Sequence, residues 1–179
     1  MKGTTVPPDI DDETLAFAGR VFQAARNGDA GLLAPLLEGG LPPNLRNDKG
    51  DGLLMLASYH GHAELTALLM AHGADPDMPN DRGQTPLAGA AFKGDLAVAQ
   101  VLLDGGAAVN GSGPDGRTAL MIAAMFNRVT LLRLLLDRGA DPGCVSKDGT
   151  TALAAATAMG ASDTTALLGK LNRAEAPDV

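Results

Sequence analysis

The chain has no Trp, one Tyr, one Cys and four Phe in 179 residues. Large aromatics normally supply much of a core's buried area, so a chain this poor in them must fold by bringing small-faced helices close together. The single thiol, Cys144, can neither close an internal disulfide nor build a zinc site alone. A basic excess is also missing: 14 Lys and Arg stand against 21 Asp and Glu, for a formal net charge of −7. Nucleic-acid binding relies on Lys and Arg displacing counterions from phosphates, so an acidic chain without a basic run disfavours it. An anionic membrane surface is disfavoured for the same reason. No stretch approaches the ~20 apolar residues that span a bilayer. The N-terminal MKGTTVPPDIDDE passes from one Lys to Pro and acids, without the roughly 7–15-residue apolar run of a secretory signal. A soluble, cytoplasmic protein is the expectation these absences leave.

What is abundant is Ala, Leu and 23 Gly, and the glycines are periodic. Gly50, Gly83, Gly116 and Gly149 are spaced by 33 residues, as are Gly40, Gly73, Gly106 and Gly139. A third series runs Gly28, Gly61, Gly94, Asn127, Gly160, with Asn, the best substitute for Gly in the left-handed region, at its one exception. Leu54, Leu87, Leu120 and Leu153 share one position of this period. Ala24, Ala57, Ala90, Ala123 and Ala156 share another, and Leu36, Leu69, Leu102, Leu135 and Leu168 a third. Three glycine series in one register identify an internal repeat.

The unit Asp81 to Asn110, DRGQTPLAGAAFKGDLAVAQVLLDGGAAVN, shows what each repeat builds. Asp81-Arg82-Gly83 reads as a turn. Thr85 is placed to cap a helix with Pro86 at its first position, where the missing N–H costs nothing. Leu87, Ala90 and Ala91 then share one helical face. Gly94 ends this helix and Asp95 caps a second, whose buried stripe is Val98, Val101 and Leu102 and whose end is Gly105-Gly106. Ala107 to Pro114 loops back in extended form. Two such short helices cannot bury their apolar faces alone, so neighbouring units must stack.

The 33-residue period, the DxxGxTPL start, the AxxG break, the paired Leu and the closing GA together resemble the ankyrin repeat. DGRTALMIAAMFNRVTLLRLLLDRGADP (Asp115 to Pro142) is close to that pattern, and DKGDGLLMLASYHGHAELTALLMAHGADP (Asp48 to Pro76) is recognisable. The resemblance covers roughly residues 13 to 171 and implies an all-α solenoid of stacked helix-turn-helix units with short hairpin loops. One domain is expected over residues 12–172, with an N-terminal cap (12–46), three full repeats (47–79, 80–112, 113–145) and a C-terminal cap (146–172). Residues 1 to 11 and 173 to 179 are expected to be disordered.

Several residues depart from the family pattern. The His that usually follows TPL is Met55, Ala88, Met121 or Ala154, and Gly52 replaces the Thr of the second unit. In the first unit Phe17 replaces the turn Gly, which predicts one longer helix, about Asp12 to Asn27. Pro35 lies inside that unit's second helix, where it should remove a hydrogen bond and kink the chain. The last unit carries Ser162, Asp163, Thr164 and Thr165 in its second helix and Gly169 in place of a Leu, as suits a cap.

No catalytic constellation is visible, and no cofactor or metal is implied. His60, His62 and His72 fall in one repeat without acidic or Cys partners at metal spacing, and His62 and Glu64 read as capping and surface residues. Ser58, Ser112, Ser146 and Ser162 lack a base or oxyanion context. GSGPDG (Gly111 to Gly116) reads as a hairpin tip, because no Lys-Ser/Thr pair follows it as in a phosphate loop. Cys144 reads as a free thiol in a connecting loop.

The resemblance implies that first helices and hairpin tips line a concave face, into which the two positions before the AxxG glycine point. Those pairs are Arg26-Asn27, Tyr59-His60, Phe92-Lys93, Met125-Phe126 and Ala158-Met159, and they hold three of the chain's five aromatics. Tyr59, Phe92 and Met125 form one column; His60, Lys93, Phe126 and Met159 form the next. Stacking would turn them into an apolar stripe with polar edges, the composition of a protein interface. The alternative is that they pack between adjacent first helices or under the N-terminal segment. Asp48, Lys49, Asp51, Asp81, Arg82, Gln84, Asp115, Arg117, Lys147 and Asp148 at the tips read as ordinary turn residues, Arg82 and Arg117 being the candidates for a rim that orients a partner.

The expected function is therefore recognition of another protein through the concave groove, by a monomer and without catalysis. A dedicated inhibitor or regulator of a single enzyme is the alternative within binding. An enzyme is the reading from another class, and would require a deep pocket with convergent polar groups.

Overall fold

The computed structural model describes residues 11–175, and side chains as far as residue 173. Ten helices occupy the described residues: α1 Asp12–Asn27, α2 Ala30–Glu38, α3 Leu53–Tyr59, α4 Ala63–Ala71, α5 Pro86–Lys93, α6 Leu96–Asp104, α7 Ala119–Met125, α8 Val129–Asp137, α9 Ala152–Ala158 and α10 Ser162–Glu175. They form five pairs stacked in two rows. The odd-numbered helices pack each on the next, and the even-numbered ones make a second, parallel row. The chain is an all-α solenoid.

The interface between successive odd helices is built from Ala. Ala24, Ala25, Ala57, Ala90, Ala91, Ala123, Ala124 and Ala156 are all buried, which lets backbones approach closely. Between the rows lie Leu54, Leu87 and Leu120, and Leu69, Leu102, Leu135 and Leu168, each 2% exposed or less. In the repeat from Asp81 to Asn110 the buried residues of α6 are Val98, Ala99 and Leu102, whereas Val101 is half-buried. Val101 turns toward the outer surface, so Ala99 takes the place expected of it.

Capping follows the sequence closely. The Thr85, Thr118 and Thr151 hydroxyls accept the N–H of Ala88, Met121 and Ala154 at 3.2–3.3 Å, and Asp95 accepts that of Val98 at 3.0 Å. Gly52, at the same position, offers no side chain and α3 starts without a cap bond. α1 is a single long helix capped by Asp11, as Phe17 predicts. α2 continues through Pro35, and Gly31, whose carbonyl loses its donor, is exposed, so water can serve it. α10 runs to Glu175, so residues 173–175 belong to the last helix and not to a disordered tail, and Asp11 is likewise part of the folded unit. The rest of the disorder expectation, residues 1–10 and 176–179, lies outside the described residues.

A ladder of side chains ties one connecting loop to the next. Asn44 accepts the Asp75 N–H at 2.8 Å, Asp77 accepts that of Ala108 at 3.0 Å, and Asn110 accepts that of Asp141 at 2.9 Å. The three acceptors sit 33 residues apart, and the series stops at Gly143, in the repeat before the C-terminal cap. The hairpin tips hold themselves similarly. Asn47 and Asn80 accept two backbone N–H groups each, and Ser146 serves that position in the last repeat. Asn80 also donates to Asp51 of the preceding tip at 2.8 Å. Ala18 holds the register position of Asp51 one repeat earlier and cannot accept, and Asn47 Nδ2 is buried without a partner.

At the third glycine series, Asn127 has φ 54°, the one non-Gly residue with positive φ among the described residues. Its side chain accepts the Asp163 and Thr164 N–H groups at 3.2 and 3.1 Å and donates to the Asp163 carboxylate at 3.0 Å. Asn127 therefore turns its own helix and caps the helix of the next repeat. Replacing it by Gly should cost about 1 kcal/mol, through loss of the cap alone. Asn127→Ala should cost about 2 kcal/mol, because the left-handed backbone is then strained as well. Urea unfolding followed by circular dichroism ranks the two; equal losses would show that the backbone conformation carries no weight.

Candidate functional site: the concave groove

The inner surface of the solenoid is bounded by α1, α3, α5, α7 and α9 on one side and by the hairpin tips on the other. Three of the four tips are closed by Asn47, Asn80 or Ser146 and the other, with Gly113 at that position, by Asp115, and two are pinned by an antiparallel bridge, Arg46 to Gly52 and Ser112 to Thr118. GSGPDG is thus a hairpin tip, as expected.

Three hollows follow one another along this surface, each between two repeats. The first, about 200 Å³, is lined by Met55, Tyr59, His60 and Arg26 with Lys49, Arg82 and Gln84. The second, about 250 Å³, is lined by Ala88, Phe92, Ile122, Met125 and Phe126 with Arg82, Asp115 and Arg117. The third, about 160 Å³, is lined by Met121, Met125, Ala158 and Met159 with Arg117 and Asp148. The second is the roomiest of the three, and its floor has Ala88 where its neighbours have Met55 and Met121.

Every candidate drawn from the sequence lines one of these hollows or, in the case of Lys93, the surface beside the first. Phe92, Phe126 and Met159 are 41%, 38% and 54% exposed, so they are not sealed into the core. Tyr59 and Met125 are half-buried. The Tyr59 ring lies against α5 beside Gly89, where a Cβ would stand 3.4 Å from it. Packing between helices and presentation to solvent therefore coexist, with Tyr59 nearer the first and Phe92, Phe126 and Met159 nearer the second.

The two columns are joined diagonally. Phe92 meets Phe126 of the next repeat edge to face at 4.8 Å, an arrangement worth about 0.5–1.5 kcal/mol beyond its buried area. Tyr59 meets Lys93 of the next repeat in the same way, with Lys93 Nζ 4.6 Å from the ring centroid. Position by position, the groove changes character. The second column runs from Asn27, His60 and Lys93 in the first half of the groove to Phe126 and Met159 in the second.

His62 does not cap α4 with its side chain. Its Nε2 lies 2.8 Å from the Arg26 carbonyl oxygen, which can only accept, so the ring donates there and closes the end of the preceding helix. Arg128, two repeats on, donates to the Phe92 carbonyl at 3.4 Å. The sequence shows these residues at helix starts but gives no sign of the carbonyl each would reach. Burial, then the positive charges of His62, Lys93 and Arg26, hold His60 below the ordinary imidazole value, so the ring is neutral at neutral pH. As pH falls through 6.5 the unfolded chain takes up this proton first, and the contribution of His60 to stability declines. Met55, Met121 and Ile122 were not among the sequence candidates. The signal for the two Met residues was the position after TPL, whose occupants alternate between Met and Ala.

Among the described residues no group of three or more His, Cys, Asp or Glu is arranged to hold a metal, and no helix is long and apolar enough to cross a membrane.

A two-row stack of helix pairs with a groove along its inner helices defines the class: a repeat scaffold that presents side chains from successive units on one face. The family model for ankyrin repeats, three copies, matches residues 21–113 and 90–176, and the chain belongs to the ankyrin-repeat family. A Pseudomonas aeruginosa protein named for its ankyrin repeats is 58% identical over 52 residues, which is 29% of this chain and 30% of that relative.

Cys144 is half-buried, with Asp141 Oδ2 3.7 Å from its sulfur. Burial first, then the Asp141 charge and hydrogen bond, push its pKa up, which opposes thiolate formation. At neutral pH iodoacetamide should alkylate Cys144 more slowly than free cysteine, and Asp141→Ala should accelerate the reaction. Labelling followed by intact-mass spectrometry decides; modification as fast as that of free cysteine would contradict the assignment.

Proposed function

We propose that this protein binds a partner protein along its concave groove, through Tyr59, Phe92, Met125, Phe126 and Met159 as apolar contacts and His60, Lys93, Arg82 and Arg117 as polar ones. Ankyrin repeats generally mediate protein–protein interaction, and members of the family are typically non-catalytic. One observation carries the reading beyond the family. Phe92 and Phe126 pack on each other, line the second hollow and remain more than a third exposed.

Exposed aromatics in a side-chain-sized hollow are costly to hydrate and bury much area for little lost rotamer freedom, which is how interface hot spots work. Neither ring belongs to the buried core, so the fold does not depend on them.

The double variant Phe92→Ala/Phe126→Ala should lose capture of the native partner in a pull-down while keeping its helical signal and cooperative melting. The stability cost should be about 1–3 kcal/mol, counting the lost ring–ring contact and partial burial. Loss of folding would make the pair core, and retained capture by the folded variant would remove the groove from the function.

A further inference from the structure

We infer that the partner presents an acidic, apolar segment to this groove, a bulky apolar side chain entering the second hollow and an Asp or Glu beside it bound by Arg82. This deepens the reading above and rests on it.

The first argument is charge. The chain carries −7, yet the three hollows are lined by four cations (Arg26, Lys49, Arg82, Arg117) against three carboxylates (Asp51, Asp115, Asp148). Each of those carboxylates accepts a hydrogen bond within the tips, and Asp115 also faces a cation. Asp51 accepts from Asn80 at 2.8 Å, Asp115 accepts the Arg117 N–H at 3.0 Å and lies 3.7 Å from its Nε, and Asp148 accepts from the Ser146 hydroxyl. Arg26, Lys49, Arg82 and Lys93 make no ion pair among the described residues. The groove lining of an acidic protein thus carries a slight excess of cations, which disfavours a basic partner and favours an acidic one.

The second argument is position. Arg82 lines both the first and the second hollow, at the boundary the two share. Its backbone is fixed, because its N–H donates to Asn80 Oδ1 at 3.1 Å. The planar fork is suited to a carboxylate, which it can hold through two parallel hydrogen bonds. Arg117 likewise lines the second and third hollows, but its Nε lies 3.7 Å from Asp115. The second hollow, about 250 Å³ and walled by Ala88, Phe92, Ile122, Met125 and Phe126, is below the ~300–1,000 Å³ usual for small-molecule sites. It suits a single anchor side chain.

The test is selection from a random peptide display library on the immobilised full-length protein, with Arg82→Glu and Phe92→Ala/Phe126→Ala as parallel baits. Wild type should enrich peptides pairing a bulky apolar residue with Asp or Glu at a constant offset. A synthetic peptide of that consensus should bind Arg82→Glu at least about tenfold more weakly. Replacing its acid by Lys should restore binding to Arg82→Glu and lower binding to wild type. If Phe92→Ala/Phe126→Ala abolishes enrichment but the consensus is neutral or basic, or Arg82→Glu binds equally well, this inference fails and the groove reading survives. Enrichment that the double Phe variant leaves intact overturns both. Self-association abolished by the double Phe variant would assign the groove to a second copy, and enrichment appearing only after deletion of residues 1–10 would assign it to the chain's own N-terminal segment. A single-stranded oligonucleotide binding in place of peptides would also overturn the proposal, as would failure of any peptide to enrich.

Discussion

A pair of seven- to nine-residue helices has more apolar surface than it can cover by itself, and nearly everything in this protein follows from that deficit. Helices so short are marginal in water and gain their stability from packing. The Ala columns let each inner helix lie close on the next, and the Leu columns close the space between rows. The ends of the stack then need different solutions. At the N-terminus a 16-residue helix replaces a short helix and its hairpin tip. At the C-terminus α10 brings Thr164, wholly buried, whose hydroxyl donates to the Ala124 carbonyl at 2.8 Å across the repeat boundary.

Polar groups between repeats obey the same need for a neighbour. Each boundary brings backbone N–H groups of one loop within reach of side chains of the loop before it. Asn44, Asp77 and Asn110 supply them at one register position, and Asn80 with Asp51 at another. Asn47 Nδ2 is the exception that shows the rule, since the repeat before it has no hairpin tip and only Ala18 at the accepting position. His62 and Arg128 cross the boundary on the helix side and close the ends of α1 and α5. These bonds fix the pitch of the stack, and so the spacing of the hollows along the groove.

The fold was legible because a periodic chain states its structure repeatedly. Thr-Pro-Leu starts and glycine stops fix the helix limits, and Asn127 at φ 54° obeys the conformational rule behind the glycine series it interrupts. The errors lay where one residue's role depends on a neighbour far along the chain. His62 looked like a cap for its own helix and serves the preceding one. Val101 looked buried on spacing alone, although the convex row leaves it half-covered. In the groove, register was enough to nominate Tyr59, Phe92, Met125, Phe126 and Met159, but not to show that contacts run diagonally, from Phe92 to Phe126 and from Tyr59 to Lys93. Which hollow is roomiest was also hidden, because it depends on the buried column of Met55, Ala88 and Met121.

Stacking constrains the buried columns strongly and the groove columns weakly. A buried Ala in the inner interface cannot grow without pushing repeats apart, whereas surface substitutions usually change stability by no more than about 0.5 kcal/mol. The pairs before the AxxG break are therefore more open to variation than the buried columns, though Tyr59 and Met125 are half-buried and Phe92 packs on Phe126. The change along the second column from Asn27, His60 and Lys93 to Phe126 and Met159 is not required by folding. Lys93 bridges two repeats over the Tyr59 ring, but Arg26, Lys49 and Arg82 beside the exposed aromatics make no ion pair and suit a complementary surface. The chemistry of that surface is thus best read from the residues the fold needs least.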